Sequence, residues 1–224
     1  MKASDMNKRA IPEVLVHSSS AEGLPVVTGC PFPAESVPDG PFAAALTTPT
    51  GVKMPAQCAP LGSATPAGLR WVELSFLATA AGRAGVRRTV PGRQPPAIAR
   101  ESADRVTLDN GVVSAVLSKR RSDVPLAIAL RRHDRLRPLG ALVPEWSSAR
   151  DRVWSEISSA ARTVRILRNG PLRAQVEVAG QLAGPDRKPG LAYRLTVELW
   201  KGISGARVDW MLSYLTPDAK DFDV

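Results

Sequence analysis

Three stretches near the C-terminus alternate apolar and polar residues with a period of two. Leu172, Ala174, Val176 and Val178 alternate with Arg173, Gln175 and Glu177. Tyr193, Leu195, Val197 and Leu199 then oppose Arg194, Thr196, Glu198 and Trp200. Last, Val208, Trp210, Leu212 and Tyr214 oppose Arg207, Asp209, Met211 and Ser213. Successive side chains of a strand point to opposite faces, so this period suits pleated ribbon and not helix. Turn-forming residues at 184–190 and 202–205 join the three into an antiparallel meander with one apolar face. Such a face needs a second layer, and residues 101–167 are expected to supply part of it. The final strand would otherwise be an exposed edge. Because the chain ends at Val224, soon after that strand, the expectation is the front portion of a larger protein with an incomplete second domain.

Upstream, punctuation dominates. The nine prolines from Pro25 to Pro66 forbid a helix of any length there. The apolar pieces between them (Val26 and Val27, 42–46, 52–54) read as short strands joined by tight turns, as in a small barrel. Residues 69–80 form the clearest strand of the first half, with Val72, Leu74, Phe76 and Ala78 on one face and Trp71, Glu73, Ser75 and Leu77 on the other. Residues 80–85 break the pattern, 86–90 return as a partner strand, and 91–96 read as a linker. Asp109-Asn110-Gly111 sits between 105–108 and 112–118, where it predicts a type I′ hairpin turn. Residues 125–142 stay open between a strand (Leu126, Ile128, Leu130) and a helical turn starting over 131–136, with Pro138 and Pro144 limiting any helix. Residues 162–167 form a further strand. The expected division is a tail or edge strand at 1–22, a β domain at 23–99 and a β-sandwich at 100–224.

The 224 residues, 44% of them hydrophobic, are enough for one large domain or two small ones. No run of eighteen apolar residues occurs, so no transmembrane helix and no membrane partner are expected. The basic start (Lys2, Lys8, Arg9) is followed by no apolar h-region, which points to a cytoplasmic chain. Cys30 and Cys58 read as reduced thiols packed as small hydrophobes, with a disulfide as the alternative. His17 and His133 make no metal site, and C-x-x-C and H-E-x-x-H spacings are absent. No G-x-S-x-G elbow or phosphate loop occurs, and Gly202-Ile203-Ser204-Gly205 is only a turn. Cofactor-binding and metal-binding residues are accordingly assigned to none. The net charge of +9 suits an anionic partner or simply an Arg-rich, Lys-poor composition. The strands carry scattered arginines without interleaved aromatics, which argues against nucleic acid.

Five segments follow one another in a suggestive order. They are Thr28-Gly29-Cys30-Pro31-Phe32-Pro33, Gly51-Val52-Lys53-Met54-Pro55-Ala56-Gln57, Ala67-Gly68-Leu69-Arg70-Trp71-Val72-Glu73-Leu74, Asn169-Gly170-Pro171-Leu172-Arg173-Ala174, and the meander over 191–214. This order resembles the N-terminal part of the exo-rhamnogalacturonan lyase and YetA-like family, with its GVPFP-like, G…P.Q, W.DGS..W and NGP.RA elements. The resemblance covers residues 23–220, with 120–155 poorly matched. Cys30 replaces a usual Val or Ile, and Ala67-Gly68-Leu69 lacks the polar groups of the DGS turn. The resemblance implies an all-β chain: a small N-terminal β-barrel of the RIFT type, then part of an antiparallel β-sandwich. It also implies a C-terminal α/α toroid in the full-length parent, which would hold the catalytic residues, and an acidic polysaccharide of the pectin rhamnogalacturonan type as partner. A free-standing carbohydrate-binding or protein-interaction module is the alternative.

A uronate lyase needs a base and a cation or acid that stabilises the developing enediolate. His133, Tyr193 and Tyr214 are the available candidates, with Arg131, Arg132 and Arg135 near the first. The competing reading is a solvated basic loop for His133 and core positions for both tyrosines. Lys119-Arg120-Arg121 and 131–137 form the densest basic region, suited to carboxylates or simply to solvent. Of Trp71, Trp146, Trp154, Trp200 and Trp210, the first and fourth lie on polar strand faces, where an exposed stacking platform is expected, with packing as the alternative.

Overall fold

The computed structural model of the protein describes residues 12–89, 95–120, 123–133, 135–147, 153–156, 162–184 and 189–215. The fold is all-β. Among the described residues the only helical element is a 3₁₀ turn, Ala34–Ser36, and no helix is long and apolar enough to cross a membrane. The chain separates into two compact units, Met1–Pro95 and Pro96–Val224.

The first unit is one antiparallel sheet. Its strands are β1 (Glu13–Val16), β2 (Leu24–Pro33), β3 (Phe42–Thr47), β4 (Lys53–Leu61), β5 (Leu69–Ala78) and β6 (Gly82–Arg88). They pair in the order β1-β6-β3-β4-β5-β2. One face of every strand meets in a single cluster that includes Val16, Phe32, Leu46, Met54, Phe76 and Val86. A sheet whose strands all share one interior must curl, and this one is a nearly closed barrel. Residues 13–16 therefore belong to the barrel sheet as an edge strand and not to a separate tail.

The strands are longer than the proline density suggests, because each proline falls where a ladder donor is not needed. Pro25, Pro31 and Pro33 lie on β2, an edge strand, and their odd numbers put all three missing N–H groups on the same side. Pro55 on β4 faces Ala45 of β3 but lies beyond the stretch paired with β5. Pro60 faces Val72 of β5 but lies beyond the stretch paired with β3. The expected break over 80–85 is shorter than the sequence suggests. Gly82, with φ of 110°, already starts β6, and Ala84 is fully buried. β6 also pairs with β1 and β3 and does not return against β5.

The second unit is a sandwich. Strands β7 (Ala99–Glu101), β8 (Arg105–Asp109), β9 (Val113–Ser118), β10 (Leu126–Arg132) and β11 (Arg135–Leu142) form one sheet in sequence order. The other contains β12 (Glu145–Ser147), β13 (Val153–Glu156), β14 (Thr163–Arg168), β15 (Arg173–Ala183), β16 (Pro189–Trp200) and β17 (Ala206–Tyr214). Its order is β12-β13-β15-β16-β17, and β14 also pairs with β15. The meander is covered as its alternation requires. Val106, Leu108, Ala115 and Leu117 of the first sheet share a core with Val176, Val178, Leu195, Val197 and Leu199 of the second. Cover thins at the edge strand β17, where Trp210 and Tyr214 stay exposed.

Two local expectations change. Only Gly111 has positive φ at the Asn-Gly hairpin (93°), the first central position of a II′ turn, whereas type I′ needs two such residues. Asn110 works through its side chain. Oδ1 accepts from the Val112 and Val113 amides at 2.9 and 2.7 Å, and Nδ2 donates to the Trp200 and Ile203 carbonyls at 2.6 and 2.8 Å. Among its described residues the stretch 125–142 contains no helical turn. It is the β10–β11 hairpin, in which Arg132 faces Arg135 and His133 takes φ of 47° in the turn. The bulge opposite Ile128 and Ala129 accommodates Pro138 on this outer strand.

Candidate functional site

β5 places Trp71 on the outer face of the barrel, the face its position in the alternation assigns. The side chain is 48% exposed, which is unusual for so large an apolar group on a regular sheet. Its cross-strand neighbours are Pro31 on β2 and Leu61 on β4. Gly29, diagonal to it, leaves room for the ring. A Cβ there would stand 3.3 Å from Cε3 and 3.5 Å from Cζ3 of the indole. Leu61, Leu69 and Val27 are also exposed and extend the apolar area, while Glu73, two residues along β5, adds a half-buried carboxylate. This is a contiguous apolar surface with an aromatic ring at its centre.

Trp200, the other expected platform, is buried at 5% exposure. Its Nε1 donates to Glu198 Oε1 at 2.6 Å. Glu198 Oε2 accepts from Arg173 Nε at 2.9 Å and Nη2 at 2.7 Å, and the Arg173 guanidinium lies 5.7 Å from the centre of the Trp200 ring. The polar face of the meander is closed at that end by a buried ion pair, so Trp200 is structural. Trp210 stacks on Tyr193 with centroids 5.7 Å apart and planes 11° from parallel. Trp146 and Trp154 face one another in the β12–β13 register, and their side chains lie outside the described residues.

Three cations of the basic region form ion pairs. Lys119 Nζ lies 2.6 Å from Glu101, Arg120 Nη2 2.6 Å from Asp104, and Arg131 Nη2 2.7 Å from Asp109. The hydrogen bond that Arg120 donates to Asp104, together with the charge of that carboxylate, raises the Arg120 pKa further. Arg162 is buried beneath and donates from Nη1 to the carbonyls of Ser118, Arg120 and Asp123. These cations organise their own loops. Arg121 lies outside the described residues, and Arg132 and Arg135 are exposed beside the hairpin turn.

The three candidate bases do not converge. His133 is exposed at the β10–β11 turn, while Tyr193 is core at 2% exposure. Tyr214, expected in the core, is 55% exposed because the first sheet does not cover the end of β17. Cys30 and Cys58 are free and buried. Desolvation pushes both thiols up, Cys58 to about 12 with a further contribution from Cys30, so neither is a nucleophile near neutral pH. Among the described residues no group of three or more His, Cys, Asp or Glu side chains is placed to hold a metal ion. Alternation in the sequence pointed to Trp71. It gave no sign of Pro31, Gly29 and Leu61 around it, because cross-strand register is set by pairings that no local pattern displays.

No family model matches the chain, and no curated protein matches it. Among solved structures, it is similar to a protein in the glycosyl hydrolase family 38 from Enterococcus faecalis, with a TM-score of 0.53 and 9% identity. That match covers 94% of this chain and 32% of the other. An alpha-mannosidase from Enterococcus faecalis V583 gives a TM-score of 0.48 at 9% identity, covering 92% of this chain and 30% of the other. The chain thus spans about a third of the length of these structures. At such low identity the first likeness is one of fold, and no residue role passes across it.

Proposed function

We propose that this chain is the non-catalytic, glycan-contacting portion of a polysaccharide-processing protein of the rhamnogalacturonan-lyase-like kind. The reacting groups would come from an α/α toroid elsewhere in a longer parent. The observation that carries the reading is the Trp71 ring, exposed on a regular sheet face and bordered by Pro31 and Leu61. An indole presented this way offers its π-face to the C–H face of a pyranose ring, as aromatic platforms do for other flat ligands. The order of sequence elements supports the lyase-like assignment, and the fold likeness to a glycosyl hydrolase is compatible with a carbohydrate-processing parent. The scattered candidate bases support a non-catalytic role for this portion.

The test is to titrate the full chain with rhamnogalacturonan oligosaccharides while following tryptophan fluorescence. Saturable quenching is expected, with Trp71→Ala losing up to about tenfold in affinity, since aromatic stacking contributes on the order of 0.5–1.5 kcal/mol. No unsaturated uronate absorbance should develop. Unchanged binding by the Trp71→Ala protein would remove the platform, and product formation would overturn the non-catalytic role. The exposed Val27, Leu61 and Leu69 around Trp71 favour a second reading, a protein-interaction module. Absence of glycan binding would move the assignment to it.

A further inference from the structure

The outer face of the second sandwich sheet has a depression of about 250 Å³ crossing four strands. Register explains it. Thr163, Ala179, Arg194 and Met211 form one cross-strand row, and Gln181, Ala192 and Ser213 form the next. Alanines hold the inner positions, so the floor is low while Arg194, Gln181 and Met211 stand around it. The volume is below the ~300 Å³ at which drug-sized pockets begin, and it suits a single ring of a longer chain.

The charge here is unbalanced. Glu177, with its side chain 6% exposed, receives Arg194 Nε at 3.1 Å on one oxygen and Arg165 Nη2 at 2.6 Å on the other. Two guanidinium groups share one carboxylate, which leaves one positive charge in excess. Glu177 holds Arg194 by Nε, and Arg194 has no further residue as partner among the described residues. Its side chain is 56% exposed. The side chains of Thr163, Gln181 and Ser213 likewise make no hydrogen bond among the described residues. The depression therefore offers a planar cationic fork, hydroxyl and amide groups, and the exposed apolar side chain of Met211.

The geometry points to a binding site for one carboxylated sugar ring, a hexuronate residue, in this depression. The terminal edge of Arg194 takes the carboxylate in a two-point contact. Gln181, Ser213 and Thr163 hydrogen-bond ring hydroxyls, and Met211 packs against the C–H face. A neutral sugar would leave the guanidinium edge unmatched, so the site selects for charge. This assignment rests on the glycan-contacting reading above and adds a second contact, on another unit, with its own specificity.

The test compares an oligogalacturonate with its carboxyl-reduced, neutral counterpart by calorimetry on the full chain. Arg194→Gln should weaken the oligogalacturonate about tenfold or more while leaving the neutral oligosaccharide unchanged. Arg194→Lys should recover only part of the loss, because an ammonium lacks the fork. Ala192→Phe, which fills the depression and keeps Arg194, should weaken the acidic ligand as well and guards against a folding defect in the arginine variants. If the acidic oligosaccharide binds all three variants as it binds the parent chain, while Trp71→Ala still loses binding, the Arg194 site is wrong and the glycan reading stands. If the parent chain binds neither oligosaccharide, both are wrong.

Discussion

Cys58 has no exposed surface on β4, where it faces Leu74, and Cys30 faces Val72 across the other side of β5. Burial lifts the Cys58 thiol from 9.0 to about 12, and the proximity of Cys30 adds to the rise. The folded state thus keeps a proton that the unfolded chain releases. The stability this contributes is complete below pH 9.0, the unfolded value, and is lost as the pH climbs through the folded value. Stability measured by urea unfolding should therefore fall above about pH 9, and Cys58→Ala should flatten that fall while lowering stability at neutral pH through the cavity it leaves. Parallel pH profiles for the two proteins would exclude this linkage. The thiols were legible in the sequence as packed hydrophobes. The tryptophans were legible only in part. Alternation put Trp71 and Trp200 on polar strand faces, yet one is 48% exposed and the other 5%. Period two fixes the face on which a side chain lies, but whether that face meets solvent depends on what covers it.

Between β15 and β16 the deciding feature is the Arg173–Glu198–Trp200 cluster. Both carboxylate oxygens of Glu198 are occupied, by Arg173 on one and the Trp200 indole on the other. A buried pair gains little over apolar residues of the same size, but removing one member strands the other. Glu198→Ala should therefore cost about 3–5 kcal/mol in urea unfolding, and the double change Arg173→Met with Glu198→Leu should cost clearly less. Equal losses would mean the arginine finds other partners when the carboxylate is gone. The β8–β9 turn shows where local signals mislead. Asn-Gly marks a tight turn correctly, but the Asn110 side chain bonds four backbone groups, two of them about ninety residues away, and this fixes a turn type the dipeptide alone does not specify. Strand lengths in the barrel were hidden for a related reason. A proline ends a strand only where its missing donor was needed, and that depends on which neighbour runs alongside at that residue.

At the scale of the molecule, the sequence displayed the meander because both of its faces carry a period, but the layer over it was only partly legible. The first sandwich sheet has β11 exposed along its whole length, and its bulge and Pro138 blunt the outer edge, so the strand resembles a loop in any sequence window. The sandwich core nevertheless draws its buried members from residues 98–199, within the second unit. Seventeen fully or nearly buried side chains, nine of them in β15 and β16, form one cluster. Each buried aliphatic contributes about 1.5–3 kcal/mol, and a cluster of this size is typical of a domain that folds alone. Residues 96–224 produced by themselves should accordingly give a β-type far-ultraviolet spectrum, near-ultraviolet signal from the stacked Tyr193 and Trp210, and a single sigmoidal urea transition. A shallow transition with strong binding of a hydrophobic dye would show that the thin cover over β17, where Trp210 and Tyr214 lie open, needs more polypeptide to close it.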